Sequence, residues 1–404
     1  MTTASTPAST PTPKPPPEKL RAWWAHRQGL LPPTPTPSPS PPANTLAATG
    51  WARSVGGANP YVTLFARSRT SRAAADDAAA ALDIHELPSA RGCTYVLPAA
   101  DYALGLTLAR PGAQAAVKVL TRLGVPDGEV DRLAAQVRTV LDEASTPLLP
   151  AELRERLGDA VRNLGDEGRK KGASTTLPAT LGVLQAAGEI RRVPAGGRLD
   201  QQRFAYTRWD ATGTVADAGP ELARRYFAWT GGASLAQFRW FSGFGARDAK
   251  AAVADLELVE VAGTDLLMRR EDATAFADFE PPAEPSYALV CWIDGLILLR
   301  RDLASMLDAA DARRSVVGHT LGGLSDLATQ AIVDRGRLVG LWEYDPGAGE
   351  IVWASFVRPD DALRAAVAET QDYVRDQLGD LRGSSMDTAK VRKPRIEAIK
   401  ALKL

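Results

Sequence analysis

WARSVGGANPYVTLFAR, residues Trp51–Arg67, sets the reading of the chain, because a glycine turn separates two helix-like runs within it. Ala52 to Val55 reads as the end of a short helix. Gly56 and Gly57 permit a positive φ, or close approach of backbone to a ligand, with no Cβ in the way. Asn59 reads as the N-cap of a new helix with Pro60 at its first position, and Tyr61, Leu64 and Phe65 then share one face. Such a turn is either a helix-turn-helix corner whose glycines serve close packing, or a place where backbone meets a ligand.

Before this stretch, residues 1–16 are rich in Pro, Thr and Ser and are expected to stay disordered, since they bury too little to offset ordering entropy. Lys19 to Leu30, KLRAWWAHRQGL, places Leu20, Trp23, Trp24 and Arg27 on one helical face and ends near Gly29. Core packing is the simplest use of these tryptophans, and base stacking the other. The proline-rich insertion 31–43 is polyproline-like and should stand clear of the body.

After it, Ser71 to Leu82 is an alanine-rich helix, and IHELPSARGCTYVLP is two strands turning at Ala90-Arg91-Gly92. Ala113 to Ala144 is helical with a break at Val125-Pro126-Asp127-Gly128. Pro150 to Leu157 and Ser174 to Ala187 are helices, followed by a hairpin of Ile190 to Pro194 with Gln202 to Arg208. Pro220 to Thr230, Ser234 to Phe241 and Ala246 to Asp255 are helices again, and Leu258 to Ala262 with Leu266 to Arg269 make a third hairpin. Helices and then a hairpin, three times over, is the order of a winged helix in tandem. FEPPAEPS, Phe279 to Ser286, is a linker; beyond it Tyr287 to Leu299 reads as a buried strand or strand pair, and Gln330 to Arg358 as a meander. A helix over Asp360 to Leu378 closes the body.

The predicted fold class is α+β: three tandem winged-helix units followed by a small C-terminal antiparallel β domain. Expected boundaries are a tail at 1–16, units at 17–112, 113–210 and 211–278, the β domain at 279–380, and a basic tail at 381–404 that is either a solvated face or a phosphate-binding arm.

Composition narrows the function. The 404 residues are 45% hydrophobic and 24% charged, with 48 basic and 48 acidic side chains, so any surface for nucleic acid must be local. Cys93 and Cys291 lie in separate apolar runs and read as buried thiols of a reducing compartment. His26, His85 and His319 lack partners at zinc-motif spacing, so no metal and no cofactor is expected. The longest apolar run, Tyr287 to Leu299, is short and interrupted by Asp294, and the N-terminus lacks a signal-peptide pattern. A cytoplasmic monomer is expected.

WWAHRQGL, SVGGANPYVTLFAR, LPSARGCTYVLPAAD, the repeated units and AIVDRGRLVGLWEYD together resemble the AlkZ/YcaQ-type winged-helix DNA glycosylases, over roughly Glu18 to Leu378. The resemblance implies a concave surface for double-stranded, alkylated or crosslinked DNA, with base excision as the family activity. It also implies a Gln-x-Gln or Gln-x-Asp triplet ahead of an acid and a proline. The register of Pro60 puts Gly56, Gly57 and Ala58 in that triplet and Asn59 in place of the acid. Glycine and alanine have no side-chain donor or acceptor with which to hold a water. The family's Phe-Asp pair is matched by Ile293-Asp294, where Asp294 is either a carboxylate with a raised pKa or a structural acceptor.

Asn59 and Asp294 are therefore the only catalytic candidates. The expected DNA contacts are Gly56, Gly57, Ala58, Asn59 and Tyr61 at the turn, with Arg169, Lys170, Lys171, Ser174, Thr175 and Thr176 at a helix start in the second unit, where orphan N–H groups favour phosphate. Arg191, Arg192, Arg203 and Arg208 are further wing candidates. Three functions compete: a DNA-binding relative that excises little or nothing, an active glycosylase with a different water-holding group, and a protein-interaction scaffold.

Overall fold

Three times along the chain the same order of elements recurs, and in each repeat a short extended piece between the first two helices pairs with the second strand of the closing hairpin. The computed structural model describes residues 13–31, 40–201, 203–211, 213–316 and 318–402. The expected disorder of the N-terminal tail and the course of the proline-rich segment fall largely on residues 1–12 and 32–39, outside the described ones.

Helix α1 (Pro17–Arg27) leads. Trp23 donates its indole N–H to the Gly231 carbonyl and Trp24 to the Leu296 carbonyl, so both rings are core anchors and neither is free to stack on a base. The first repeat is α2 (Pro42–Thr49), β1 (Ala52–Arg53), α3 (Asn59–Ser68), α4 (Arg72–Ala80), β2 (Ile84–Pro88) and β3 (Thr94–Pro98). Its sheet order is β1-β3-β2, with Ala52 opposite Val96 and Arg53 opposite Tyr95. Ala52 to Val55 is thus not the end of a helix: pairing with β3 overrides a local helical preference. Ala58, not Asn59, takes the cap position of α3, and its side chain cannot cap. Ser71, read as the first residue of the alanine-rich helix, is the N-cap of α4 and accepts from the Ala74 N–H.

The second repeat follows α5 (Tyr102–Arg122), which begins eleven residues before the expected start at Ala113 and carries Pro111 inside it. The expected boundary at 112/113 therefore falls within one helix. The repeat comprises α6 (Glu129–Asp142), α7 (Pro150–Leu157), a short α8 (Gly165–Lys170), α9 (Leu177–Ala186), β4 (Ile190–Pro194) and β5 (Phe204–Arg208), with Leu148 bridged to Tyr206. The third comprises α10 (Ala218–Thr230), α11 (Leu235–Ser242), α12 (Ala246–Val253), β6 (Leu258–Glu260) and β7 (Leu267–Arg269), with Ala233 bridged to Leu267, and α13 (Arg270–Asp278) follows.

Beyond the linker, β8 (Tyr287–Val290) ends in a turn and the short α14 (Gly295–Leu298), so Tyr287 to Leu299 is one strand and a helical turn, not a strand pair. A small ribbon, β9 (Ser315–Val316) and β10 (His319–Thr320), precedes the meander β11 (Gln330–Asp334), β12 (Arg337–Asp345) and β13 (Glu350–Ser355). The antiparallel sheet runs β13-β12-β11-β8. Helix α15 (Asp361–Tyr373), extended by a π-helical turn to Leu378, and α16 (Ala389–Ala401) complete the chain.

The basic tail is not a free arm: one face of α16 docks on the body while Lys390, Lys393 and Lys400 stay exposed on the other. Ile396 and Ile399 of α16 join the main core, Arg392 is buried against Asp380, and Arg395 bonds to Glu343 and Asp387. That core unites α1, the aromatic residues Tyr226, Phe227, Trp229, Phe238 and Phe241 of the third repeat, and the C-terminal sheet. The second repeat instead has a core of its own, built on Leu133, Val137, Leu141, Leu153, Leu181, Leu184 and Ile190.

Candidate functional site

The glycine turn is held from both sides. Upstream, the Ser54 N–H donates to the Thr94 carbonyl and its hydroxyl to Glu86. Gly56 has φ +70°, a conformation that costs a residue with a Cβ about 1–2 kcal/mol. Downstream, the Ala58 N–H donates to the Arg382 carbonyl at 2.8 Å, and the Ser385 N–H donates to the Val55 carbonyl at 2.9 Å. A Cβ on Gly57 would lie 2.5 Å from the Arg382 oxygen and 2.7 Å from the Gly383 carbonyl carbon. The close backbone approach that Gly57 permits is thus taken by Arg382 to Ser385 of the same chain, 325 residues away in sequence for the Gly57–Arg382 pair. That segment is fixed in turn by Asp387, which accepts from the Gly383 N–H and from Arg395.

The side chains next to the turn are turned inward. Asn59 is 1% exposed; its amide donates to the Arg53 carbonyl at 2.7 Å and its oxygen accepts from the Thr63 hydroxyl at 3.4 Å. Tyr61, expected at the DNA surface, is fully buried, with its hydroxyl donating to Asp76 and accepting from the Leu199 N–H. Burial and the Asp76 carboxylate push its ionisation well above the ordinary tyrosine range. It pins the loop between β4 and β5 onto α3.

Asp294 is also fully buried, at the N-terminus of α14, where it accepts from the Leu296 N–H and the Thr63 hydroxyl. Arg67 grips it with two bonds of 2.8 Å. Burial alone would raise its pKa, but the Arg67 charge and the surrounding donors outweigh that and hold the carboxyl below its ordinary value. The raised-pKa reading is overturned; the residue is a structural acceptor joining α3 to the end of β8. Gln28 extends the network, accepting from Arg67 and donating to the Thr49 and Trp229 carbonyls.

What does open beside Ala58 is a pocket of about 360 Å³. The β4–β5 loop contributes Arg198, Asp200, Gln201 and Arg203; Leu378, Asp380 and Arg382 close the other side. Arg198 binds Asp200 with two bonds and donates to the Leu378 carbonyl at 3.1 Å. Asp380 is held below its ordinary pKa against burial by Arg392. Apart from Ala58 and Arg203, this lining escapes a sequence reading. Gly57 signals that something comes close, but no local pattern says what.

In the second repeat, Arg169, Lys170 and Lys171 end the short α8, so that they stand at a helix C-terminus and not at the expected helix start. Arg169 pairs with Asp166 and Lys170 with Glu167 one turn earlier, leaving Lys171 as the member with no ion pair among the described residues. Thr176 is buried with its hydroxyl accepting from the Arg162 N–H, Thr175 is bridged to Asn163, and only Ser174 of the three is exposed. On the hairpin, Arg192 pairs with Glu86 over the Phe204 ring and Arg208 with Asp142. Arg191 is half-buried, which lowers its pKa, and Arg203 is exposed.

Helices with small antiparallel sheets, a thrice-repeated order and a glycine turn at its head define a class that comparison names. The family model described as DNA glycosylase AlkZ-like matches residues 50–375, and the chain belongs to that family. Among solved structures it is similar to Streptomyces sahachiroi DNA glycosylase AlkZ, with a TM-score of 0.67 and 20% identity over 91% of this chain and 98% of that one. At that identity the likeness is one of fold. No curated protein sequence matches. The segment that crosses the glycine turn, Arg382 to Ser385, lies beyond the residues the family model covers. No helix among the described residues is long and apolar enough to cross a membrane.

Proposed function

We propose that this chain is a duplex-DNA-binding member of the AlkZ-like family, recruited to damaged or distorted DNA, that releases bases slowly or not at all. We read the three repeats as three winged helices, in which α4, α9 and α12 hold the place of the recognition helix; this architecture is used mainly on nucleic acid, although fold alone does not fix function.

The observation that carries the non-excising reading is the glycine turn. Gly56, Gly57 and Ala58 stand where the family's polar triplet belongs, and backbone of Arg382 to Ser385 is packed onto them. Both candidate substitutes, Asn59 and Asp294, are sealed in the interior with their hydrogen bonds made. Hydrolysis of a glycosidic bond needs a positioned water next to a developing cation, and general-base positioning alone contributes roughly 10²–10⁴-fold. Nothing at the triplet supplies it.

The test is release of abasic sites from duplexes carrying N7-alkylguanine or a nitrogen-mustard crosslink, measured against spontaneous loss. The expected result is a rate at or near the spontaneous one. Enzyme-like release that disappears in Asp200→Asn, the carboxylate that shares the pocket with Ala58, would replace this reading with an active glycosylase using a new acid.

A further inference from the structure

We propose that the pocket beside Ala58 is a phosphate clamp, in which Arg203 of the β4–β5 loop and Arg382 of the C-terminal segment hold a backbone phosphodiester of duplex DNA. The inference rests on the DNA-binding reading above and adds to it a site and a ligand group. Its first support is the charge of the lining. Asp200 is matched by Arg198 and Asp380 by Arg392, at two bonds each. Arg203 has no partner for its side chain among the described residues, and Arg382 has only a 3.6 Å contact to the already matched Asp380. Two guanidinium groups are left with spare donors over one pocket. A guanidinium offers paired N–H groups at the spacing of two phosphate oxygens.

A second support is the shape and chemistry of the walls. The volume of about 360 Å³ is lined by polar and charged groups, with Ala58 and Leu378 the apolar members and no aromatic ring. A nucleobase turned out of a helix is held by stacking and by apolar contact. These walls offer neither, whereas an oxyanion finds donors on both sides.

Both arginines also sit on backbone that is already fixed. The Arg382 carbonyl is bonded to the Ala58 N–H, and the loop bearing Arg203 is tied by Leu199 to Tyr61 and by Arg198 to the Leu378 carbonyl. Little ordering is left to do on binding. A phosphate seated there sets the DNA backbone, not a glycosidic bond, against the position of the family's polar triplet.

The experiment is a salt titration of affinity for a fluorescein-labelled undamaged duplex by anisotropy, using the full chain. Arg203→Ala and Arg382→Gln should each flatten the slope of log K against log salt by about 0.9, and the pair by about 1.8, since each removes one phosphate contact. The double Arg→Lys variant should keep most of the slope. Unchanged circular dichroism and melting temperature are expected in all of them, because both side chains point to solvent. If the double variant keeps wild-type affinity and slope, the clamp is overturned while DNA binding stands. If the wild type shows no duplex binding at low salt, the DNA-binding reading itself falls. In that case, protection from melting by inorganic phosphate that the double variant loses would reassign the pocket to a free phosphate, against the proposal.

Discussion

Asp294 shows how much one side chain does here: it accepts bonds from Leu296, Thr63 and both terminal nitrogens of Arg67 while shut away from water. Asp294→Ala would leave the Arg67 guanidinium buried without its counter-charge, so a loss of about 3–5 kcal/mol is expected in urea unfolding. Because the folded pKa is depressed, the stability this carboxylate contributes is present above its unfolded pKa and disappears as pH falls through the folded one. Wild type should therefore lose more stability than Asp294→Asn on going from neutral pH into strong acid. Gly57 is the other residue on which the site turns. In Gly57→Ala the methyl group meets the Arg382 and Gly383 backbone, and a loss of roughly 1–3 kcal/mol in denaturant is expected for that overpacking. A wild-type midpoint in the alanine variant would mean that the segment is loosely held. Restoring the family's triplet with Gly56→Gln and Ala58→Gln adds αL strain at position 56, where φ is +70°, so that variant should be less stable as well as inactive.

At the level of elements, α8 changes what the basic cluster can do. With Arg169 and Lys170 each paired to an acid one turn back, the Ala triple variant of Arg169, Lys170 and Lys171 should flatten the duplex-binding salt slope by nearer one contact, about 0.9, than three. A change near three contacts would show that the pairs open on DNA. The hold of α16 on the sheet is expected to depend on pH through Glu343. Burial pushes the Glu343 pKa up to about 7, against the opposing pull of Arg395. A carboxyl raised above its unfolded value binds protons more readily when folded, so its contribution is full below the unfolded pKa and is lost as pH rises through about 7. The melting temperature of wild type should accordingly fall relative to Glu343→Gln as pH is raised from 5 to 8. Most helices and all three hairpins could be read from the sequence, since apolar spacing and turn residues are local signals. The two-residue β1, the six-residue α8 and the packing of α16 could not. Each depends on a partner far along the chain or on charges whose neighbours are fixed only by folding. For the same reason the glycine turn is legible as a place of close backbone approach, while its covering segment, and the inward direction of Asn59 and Tyr61, are not.

Across the whole molecule, the packing divides unevenly. The third repeat shares one core with the β2–β3 hairpin of the first and with the C-terminal sheet, and α2 to α4 pack with other residues of that sheet and α15 in another, whereas the second repeat keeps a separate one and meets the rest through α5, α9 and the β4–β5 loop. Such a unit opens at its own free energy. Hydrogen exchange should show the amides of α6, α7 and α9 losing protection before those of α10 and β12 as denaturant is raised; equal loss would mean that the two cores unfold together. A different consequence follows from the place of the covering segment in the order of synthesis. The glycine turn is synthesised 325 residues ahead of Arg382, its partner across the Gly57 contact, on the order of tens of seconds earlier. Until that segment is made, the Ala58 N–H and the Val55 carbonyl lack the partners that hold them in the folded protein, so the turn is finished only in chains translated past Ser385.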